Sequence, residues 1–186
     1  MSKVNFDLLQ SRFEAYIPTG KNYRDDVYAA ACVQEAFTAA KEGNFGIGAV
    51  LADPSHQPLL CAHNRVFFPR FRSDGHAEML ALREFESRYP RATSMRGYKL
   101  YTSLEPCMMC AARLAIAGCE IVSYVAADDI GGVVRRIDTL PGIWPALLRR
   151  IKWEQAECSP VLRKLAWQIF EYNVKDLNAK LKARLG

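Results

Sequence analysis

Residues 98–118, YKLYTSLEPCMMCAARLAIAG, decide the fold. The run from Tyr98 to Ser103 predicts a short strand, because it is rich in aromatic and β-branched residues. Cys107 to Ala117 predicts a helix, because Pro106 suits a helix start and Gly118 ends the segment. A strand that leads through a short turn into a helix is typical of α/β folds.

The same alternation continues on both sides of this stretch. The other predicted elements are helices over 25–41 and 76–88 and strands over 47–52, 59–62 and 120–126. Helix, strand, strand, helix, strand, helix and strand therefore follow one another along the chain. This order predicts an α/β fold, a three-layer α-β-α sandwich in which helices cover a central mixed sheet.

The C-terminal segment has clear helix-start chemistry. Ser159 can cap a helix and Pro160 suits its first position. Apolar residues then recur at spacings of three and four, which predicts an amphipathic helix over about 159–183. Residues 128–141 contain Gly and Pro breakers and are expected to be irregular. We therefore predict one domain over 1–186, with a core over about 25–155 followed by this helix.

Composition and charge indicate the cellular compartment and the kinds of partner to expect. Its 186 residues carry a formal charge of +5, a modest excess that ordinary enzymes also show. The N-terminus lacks the apolar segment of a signal peptide, and no run approaches the length of a membrane span. We therefore expect a cytoplasmic protein with no membrane partner, in which the six cysteines stay reduced.

Two short motifs carry the candidate chemistry, His76-Ala77-Glu78 and the Cys-x-x-Cys pair at 107–110. Cys107 and Cys110 lie at i and i+3 of a helix start, so both sulfurs can reach one ion. His76 opens another helix and can supply a third ligand. Three protein ligands leave tetrahedral zinc one open position for water, which is the arrangement of a catalytic site.

By itself, the Cys-x-x-Cys pair could also be a redox pair or half of a structural zinc site, and His-x-Glu by itself carries little information. A structural site needs a fourth ligand, for which Cys119, Cys61, His63 or His56 could serve. However, His-x-Glu followed by Pro-Cys-x-x-Cys is the signature of zinc nucleobase deaminases. In that chemistry zinc activates the water, and Glu78, which is not a ligand, moves the protons.

The chain resembles the cytidine deaminase-like superfamily, within the branch of guanine deaminases and tRNA adenosine deaminases. The matching stretches are 46–51 (GIGAVL), 64–66 (NRV), 76–78 (HAE) and 101–111 (YTSLEPCMMCA). The resemblance implies a five-stranded sheet between helices and zinc on His76, Cys107 and Cys110. It also implies that Glu78 is the proton shuttle, that Asn64 hydrogen-bonds the substrate ring and that the protein is a homodimer.

The chain departs from the family pattern beside the substrate pocket. Residues 72–75 read RSDG where the family often has Pro-Thr-Ala or a similar small-residue run. The interval from Asn64 to His76 is also about one residue longer than usual in the family. The alternative for Asn64 is a turn residue whose side chain satisfies local backbone groups.

Three functions compete. The first is a deaminase of a small nucleobase or nucleoside such as guanine or cytosine, with Tyr172 stacking on the ring and Asp138 as a second carboxylate. The second is a tRNA adenosine deaminase, indicated by Asp128-Asp129-Ile130-Gly131-Gly132 and by basic residues near the C-terminus. The third is a zinc-stabilised module without catalysis, against which Glu78 argues.

Overall fold

The computed structural model describes residues 5–19 and 21–184. Its α-helices are α1 (Phe6–Glu14), α2 (Asp26–Lys41), α3 (Ala77–Arg88), α4 (Met108–Ile116), α5 (Trp144–Leu148) and α6 (Pro160–Arg184). Its strands are β1 (Gly48–Ala52), β2 (Pro58–His63), β3 (Lys99–Leu104), β4 (Ile121–Ala126) and β5 (Lys152–Gln155). A 3-10 helix covers Val134–Thr139.

One mixed sheet organises these elements, with strand order β2-β1-β3-β4-β5. β1 runs antiparallel to both of its neighbours, β2 and β3. β3, β4 and β5 run parallel to one another. The parallel strands β3 and β4 place their carboxyl ends at one edge, and the loops that follow them meet there.

Helices cover both faces of the sheet, which confirms the predicted three-layer sandwich. α2 and α6 pack together on one face, with Val33, Phe37 and Ile169 in their shared core. α3 lies on the other face, with α4 beside it, and Leu82 and Leu114 bury against the sheet there. Each layer thus hides its apolar side, as a stable α/β fold requires.

The predicted elements agree with the structure to within one or two residues at each end. Ser159 caps α6 as predicted, because its Oγ accepts a hydrogen bond from the Val161 N–H at 3.2 Å. Among the described residues no helix is long and apolar enough to cross a membrane. All six cysteines are unpaired.

The hydrophobic pattern of the sequence did not predict three of the regular elements, α1, α5 and β5, or the 3-10 helix. α1 buries only Leu9, so its apolar stripe is faint. α5 has five residues, and β5 is a four-residue edge strand with no fully buried side chain. Such short elements are stabilised by their tertiary neighbours, and sequence patterning gives them little signal. The fifth strand was nevertheless implied by the family resemblance.

The loop at 64–75 closes on itself directly before His76. The Arg65 N–H donates to the Gly75 carbonyl at 2.7 Å. A Cβ atom at Gly75 would lie 2.6 Å from the Arg65 carbonyl oxygen, so only glycine fits this contact. Asn64 and His76, twelve residues apart, are thereby brought to the two ends of one closed loop.

Candidate metal centre and active site

Two helix starts deliver the three predicted metal ligands to one point. His76 is the N-cap residue of α3 and Cys107 that of α4, and neither side chain makes a capping hydrogen bond. Cys110 follows one turn into α4. The His76 Nδ1 atom lies 3.6 Å from the Cys107 Sγ and 3.5 Å from the Cys110 Sγ. All three donor atoms lie within 4.8 Å of one another.

This donor set fits zinc. Zinc–sulfur and zinc–nitrogen bonds of about 2.3 and 2.0 Å put tetrahedral donor atoms roughly 3.5 Å apart. The observed separations match that value without any rearrangement. One imidazole nitrogen and two sulfurs are also ligands that zinc prefers in proteins. The structure therefore confirms that His76, Cys107 and Cys110 are positioned to bind a metal ion.

The electrostatics of the cluster favour a thiolate at Cys107. The hydrogen bond from Cys110, together with that to His76, lowers the pKa of Cys107 to about 4. The same pairing and burial raise the pKa of Cys110. Burial opposes the charged form of His76, but its hydrogen bond to Cys107 and the nearby Glu78 carboxylate raise its pKa. One thiolate is thus preformed, and metal binding must release the remaining thiol proton.

Glu78 lies in the first turn of α3, next to the ligand cluster, and is only 4 % exposed. Its Oε1 atom accepts a hydrogen bond from the Thr102 hydroxyl at 3.4 Å. Burial raises the pKa of Glu78, and the Cys107 thiolate adds to the shift. A carboxyl group whose pKa is raised toward neutrality can both accept and donate a proton near pH 7.

Asn64 is completely buried at the end of the loop that leads to His76. Its Oδ1 accepts a hydrogen bond from the Val66 N–H at 3.1 Å, so the turn interaction predicted as its alternative role is present. Its Nδ2 has no hydrogen-bond partner among the described residues. A buried N–H group without a partner costs about 1–3 kcal/mol, a cost that a bound acceptor would remove.

The segment that contains these site residues matches a known protein family. Residues 23–126 match the family model described as the cytidine and deoxycytidylate deaminase zinc-binding region. The chain belongs to this deaminase family. The match contains Asn64, Glu78 and all three metal ligands, and it ends with β4.

Two kinds of known protein are similar to this chain in sequence. The tRNA-specific adenosine deaminase of Aquifex aeolicus is 34% identical over 136 residues, which are 73% of this chain and 84% of that protein. The tRNA(Ile)-lysidine synthase of Thermus thermophilus is 43% identical over 112 residues, which are 60% of this chain. The matching 112 residues span only 20% of the length of the synthase.

Solved structures show the same fold. A protein studied as a tRNA:A34 deaminase, which edits A to I at the wobble position, matches with a TM-score of 0.56 and 29% identity. That match covers 62% of this chain and 88% of the other. Guanine deaminase from Nitrosomonas europaea matches with a TM-score of 0.60, covering 94% of this chain and 96% of the other at 19% identity. At this low identity the second match is evidence for the fold alone.

The other two predicted substrate residues of the deaminase-family chain have partners outside the metal cluster. Tyr172 packs its ring on Phe6 of α1, with ring centroids 5.2 Å apart. The Asp138 carboxylate is exposed and forms an ion pair with Arg149 at 2.7 Å. These contacts do not bring either side chain to His76 or the cysteines, and their substrate roles stay predictions.

Glu105 has a role that the sequence motif did not reveal. Its carboxylate is buried and accepts hydrogen bonds from the N–H groups of Asp128 at 3.1 Å and Val134 at 3.0 Å. A Cβ at Gly132 would lie 2.5 Å from the carboxylate carbon, so the loop after β4 lies directly on it. Glu105 thus fastens this loop to the segment that supplies Cys107. The sequence did contain a signal for this role, because Glu105 is an acidic residue at the end of a buried strand, β3. A buried carboxylate requires hydrogen-bond donors from neighbouring segments.

Asn44 organises the loop after Asn64 in a similar way. Its Oδ1 accepts hydrogen bonds from the N–H groups of Phe67 at 2.8 Å and Phe68 at 2.9 Å. Its own carbonyl accepts one from the Asn173 side chain on α6 at 2.7 Å. No local pattern connects residues separated by 23 and 129 positions, so sequence analysis missed this link.

Proposed function

We propose that this protein is a zinc-dependent hydrolytic deaminase that releases ammonia from an aminated nucleobase or nucleoside. The observation that carries the proposal is the juxtaposition of three metal ligands with Glu78, a buried carboxyl group that accepts a hydrogen bond from Thr102 and lies within hydrogen-bonding reach of the Cys110 thiol. A purely structural metal site has no need of a buried acid, because a buried carboxyl group is costly.

The ligand set supplies the first part of the chemistry. Zinc held by His76, Cys107 and Cys110 would lower the pKa of a bound water toward about 7, so that hydroxide is available for attack on an amino-bearing ring carbon. The arrangement of three protein ligands with one open position favours this catalytic role over a structural one.

Glu78 carries the protons in this scheme. Hydrolytic deamination must move one proton of the attacking water to the ring nitrogen and the other to the departing amine, which leaves as ammonia. Burial beside the cluster gives Glu78 a raised pKa, which suits a group that accepts a proton in one step and donates it in the next. Thr102 holds one carboxylate oxygen and so limits its rotation.

Asn64 orients the ring. Its buried Nδ2 is a donor without a partner, while its Oδ1 is already held by the Val66 N–H. The carboxamide is therefore fixed in one orientation and presents an N–H group to an acceptor on the substrate. A site built in this way discriminates strongly against rings that lack the acceptor.

Adenosine in tRNA is the second candidate substrate. The tRNA-specific adenosine deaminase of Aquifex aeolicus is 34% identical to this chain over 84% of that protein's length, which supports this choice. Cations also lie over aromatic rings of the loop that follows Asn64, with Lys180 over Phe67 and Arg184 over Phe71. Such surfaces suit single-stranded nucleic acid.

We also propose that the protein forms a homodimer. Met109 and Ile116 on α4 are 37% and 71% exposed, and Ile143 at the start of α5 is 64% exposed. α5 packs on α4, so these apolar side chains lie on adjoining elements. Burial of exposed apolar groups is a common driving force for association. Sedimentation at micromolar concentration tests this proposal, and Ile116→Glu is expected to yield monomers.

Ammonia release from a substrate panel tests the function. The panel contains guanine, cytosine, cytidine, adenosine and a tRNA anticodon stem-loop, each assayed with the zinc-loaded protein and with Glu78→Gln. We expect turnover of at least one substrate by the wild-type chain and none above background by the variant. Activity on the stem-loop alone, falling steeply with salt, would identify tRNA as the substrate. Full activity of the metal-free protein would contradict the mechanism.

A further inference from the structure

His63, the last residue of β2, directly precedes Asn64, and both of its ring nitrogens contact other side chains. Its side chain is 11% exposed. Its Nδ1 lies 2.7 Å from Glu35 Oε2 and its Nε2 lies 3.2 Å from Glu42 Oε2, both on the α2 side. Arg65, two residues further on, places its Nε 3.2 Å from the same Nε2. We call these four residues the histidine clamp.

The clamp holds the imidazole in either protonation state. A neutral ring with its proton on Nδ1 donates to Glu35 and accepts the Arg65 N–H at Nε2. A doubly protonated ring donates to Glu35 through Nδ1 and to Glu42 through Nε2. Both nitrogens therefore have a partner in each case, and the ring cannot turn without losing one of them.

The base on which the clamp rests is rigid. α2 lies directly on β1, because a Cβ at Gly48 would come within 2.3 Å of the Cys32 carbonyl oxygen and 2.4 Å of Glu35 Cβ. Gly48 is also the β1 residue that pairs with His63. Close packing therefore fixes the position of Glu35 relative to the sheet. Its hydrogen bond with His63 in turn fixes the His63 ring at the end of β2.

The clamp encloses Asn64 on both sides along the chain. His63 precedes it and Arg65 follows it, and both belong to the clamp. The Asn64 N–H donates to the Ile47 carbonyl at 2.9 Å, which ties its backbone to the start of β1. These backbone contacts leave the carboxamide little freedom to turn, so it keeps its hydrogen bond with the Val66 N–H, and its buried Nδ2 stays without a hydrogen-bond partner among the described residues.

We infer that His63 is a positioning residue for substrate recognition, which fixes the Asn64 carboxamide through the contacts of the histidine clamp. This inference rests on the proposed function in one respect, namely that Asn64 contacts the substrate. It assigns His63 no part in metal binding or proton transfer, because its ring nitrogens are engaged by α2 and by Arg65.

The test compares two substitutions of His63 with a histidine control. His63→Ala removes every contact of the clamp, whereas His63→Asn keeps a donor near the position of Nδ1 for Glu35. His56, exposed in the turn before β2, supplies the control His56→Ala. KM and kcat are measured with the panel substrate that gives the highest kcat/KM, and zinc content is measured for each protein.

We expect His63→Ala to raise KM about tenfold, as loss of one aligned hydrogen bond does, with kcat within about threefold and zinc unchanged. His63→Asn should recover about half of the loss on a logarithmic scale, and His56→Ala should match the wild type. Hydrogen exchange of the Asn64 and Val66 amides should accelerate in His63→Ala, which reports on the clamp even without turnover.

Asn64→Ala separates the two ways of failing. If Asn64→Ala leaves KM unchanged, the proposed substrate contact is wrong. If Asn64→Ala raises KM but His63→Ala does not, the substrate contact stands and the role of His63 is overturned. A fall in zinc content or kcat without a rise in KM, or unchanged amide exchange in His63→Ala, also overturns it.

Discussion

The two halves of the candidate site are built in opposite ways. The metal half, made of His76, Glu78, Cys107 and Cys110, comes from the first turns of two helices and from short motifs. The substrate half, made of Asn64 and the loop up to Gly75, is held by distant residues, with Asn44 bonded to the loop and Glu35 bonded to His63. In the proposed function, the first half performs the reaction chemistry and the second recognises the ring.

The difference teaches where information about function lies. Helix geometry alone puts the Cys107 and Cys110 sulfurs on one side, so the motif already contains the site. Asn64 is oriented by a hydrogen bond to Val66, while the surrounding loop depends on contacts across the fold. Chemistry can thus be predicted from short motifs, whereas the substrate depends on packing that motifs do not encode.

Loss of a metal ligand should have the largest effect on the metal half. Cys107→Ser replaces the preformed thiolate by a hydroxyl, which is a poor zinc ligand. We expect bound zinc to fall from about one ion per chain to below about 0.1 and ammonia release to disappear. Metal analysis and the panel assay measure both. Cys61→Ser, at an exposed cysteine, is the control and should keep both. A zinc-replete, active Cys107→Ser protein would refute the assignment.

Glu78→Gln should have the next largest effect, and it divides the metal half into binding and proton transfer. The amide keeps the shape of the side chain but cannot carry a proton, so kcat should fall by about 10²- to 10⁴-fold while zinc content stays unchanged. Glu84→Gln, on the exposed side of α3, is the matched control. Equal losses of zinc and kcat in Glu78→Gln would instead indicate a structural role.

Asn64→Asp probes the substrate half. The aspartate keeps the Oδ1 acceptor for the Val66 N–H but lacks the Nδ2 donor. KM should rise about 10- to 100-fold, since the substrate acceptor loses its partner, and zinc should stay bound. Steady-state kinetics on the best panel substrate measure this change. An unchanged KM would reduce Asn64 to a turn residue.

The pH dependence of the free energy of unfolding should show a smaller effect. It tests whether burial of the Glu78 carboxyl group destabilises the metal half. Burial raises the pKa of Glu78 above its value in the unfolded chain. The carboxyl group therefore contributes stability below about pH 4, and this contribution is lost as pH rises through the folded-state pKa. Metal-free Glu78→Gln should thus be more stable than metal-free wild type at pH 8.

Denaturant unfolding of both chelated proteins at pH 8 and pH 4 measures this difference. The advantage of Glu78→Gln should shrink at pH 4, where most of the wild-type carboxyl group is protonated in both states. A difference that is equal at the two pH values would show that ionisation of Glu78 is not its source.

The smallest effects are expected at Asp138 and Tyr172, outside both halves. Asp138 is paired with Arg149 at the surface, and the Tyr172 ring packs on Phe6. Asp138→Asn and Tyr172→Phe should each leave KM and kcat within about twofold, as surface changes generally do. Phe keeps the stacking ring, so Tyr172→Ala tests the predicted ring cap, and a rise in KM for Tyr172→Ala would extend the substrate half to α6.

Much of the fold could be predicted because its main elements have strong local signals. The apolar helix at 26–41 and the buried strand at 48–52 were predicted within a residue or two of their ends. The short helix at 144–148 and the strand at 152–155 were not, since four or five residues cannot show a period. Their stability comes from neighbours such as β4 and α4.

The sequence by itself determined the metal ligands, the acid beside them and the family. Spacing of one helical turn brings Cys107 and Cys110 together, and a helix start exposes His76 in the same way. Only the tertiary structure decided that Asn44 holds the loop after Asn64, that Glu105 fastens the loop after β4, and that Tyr172 faces α1. The physical reason is range: a helical turn fixes neighbours four residues apart, whereas burial and hydrogen bonds between distant segments arise only when the whole chain packs.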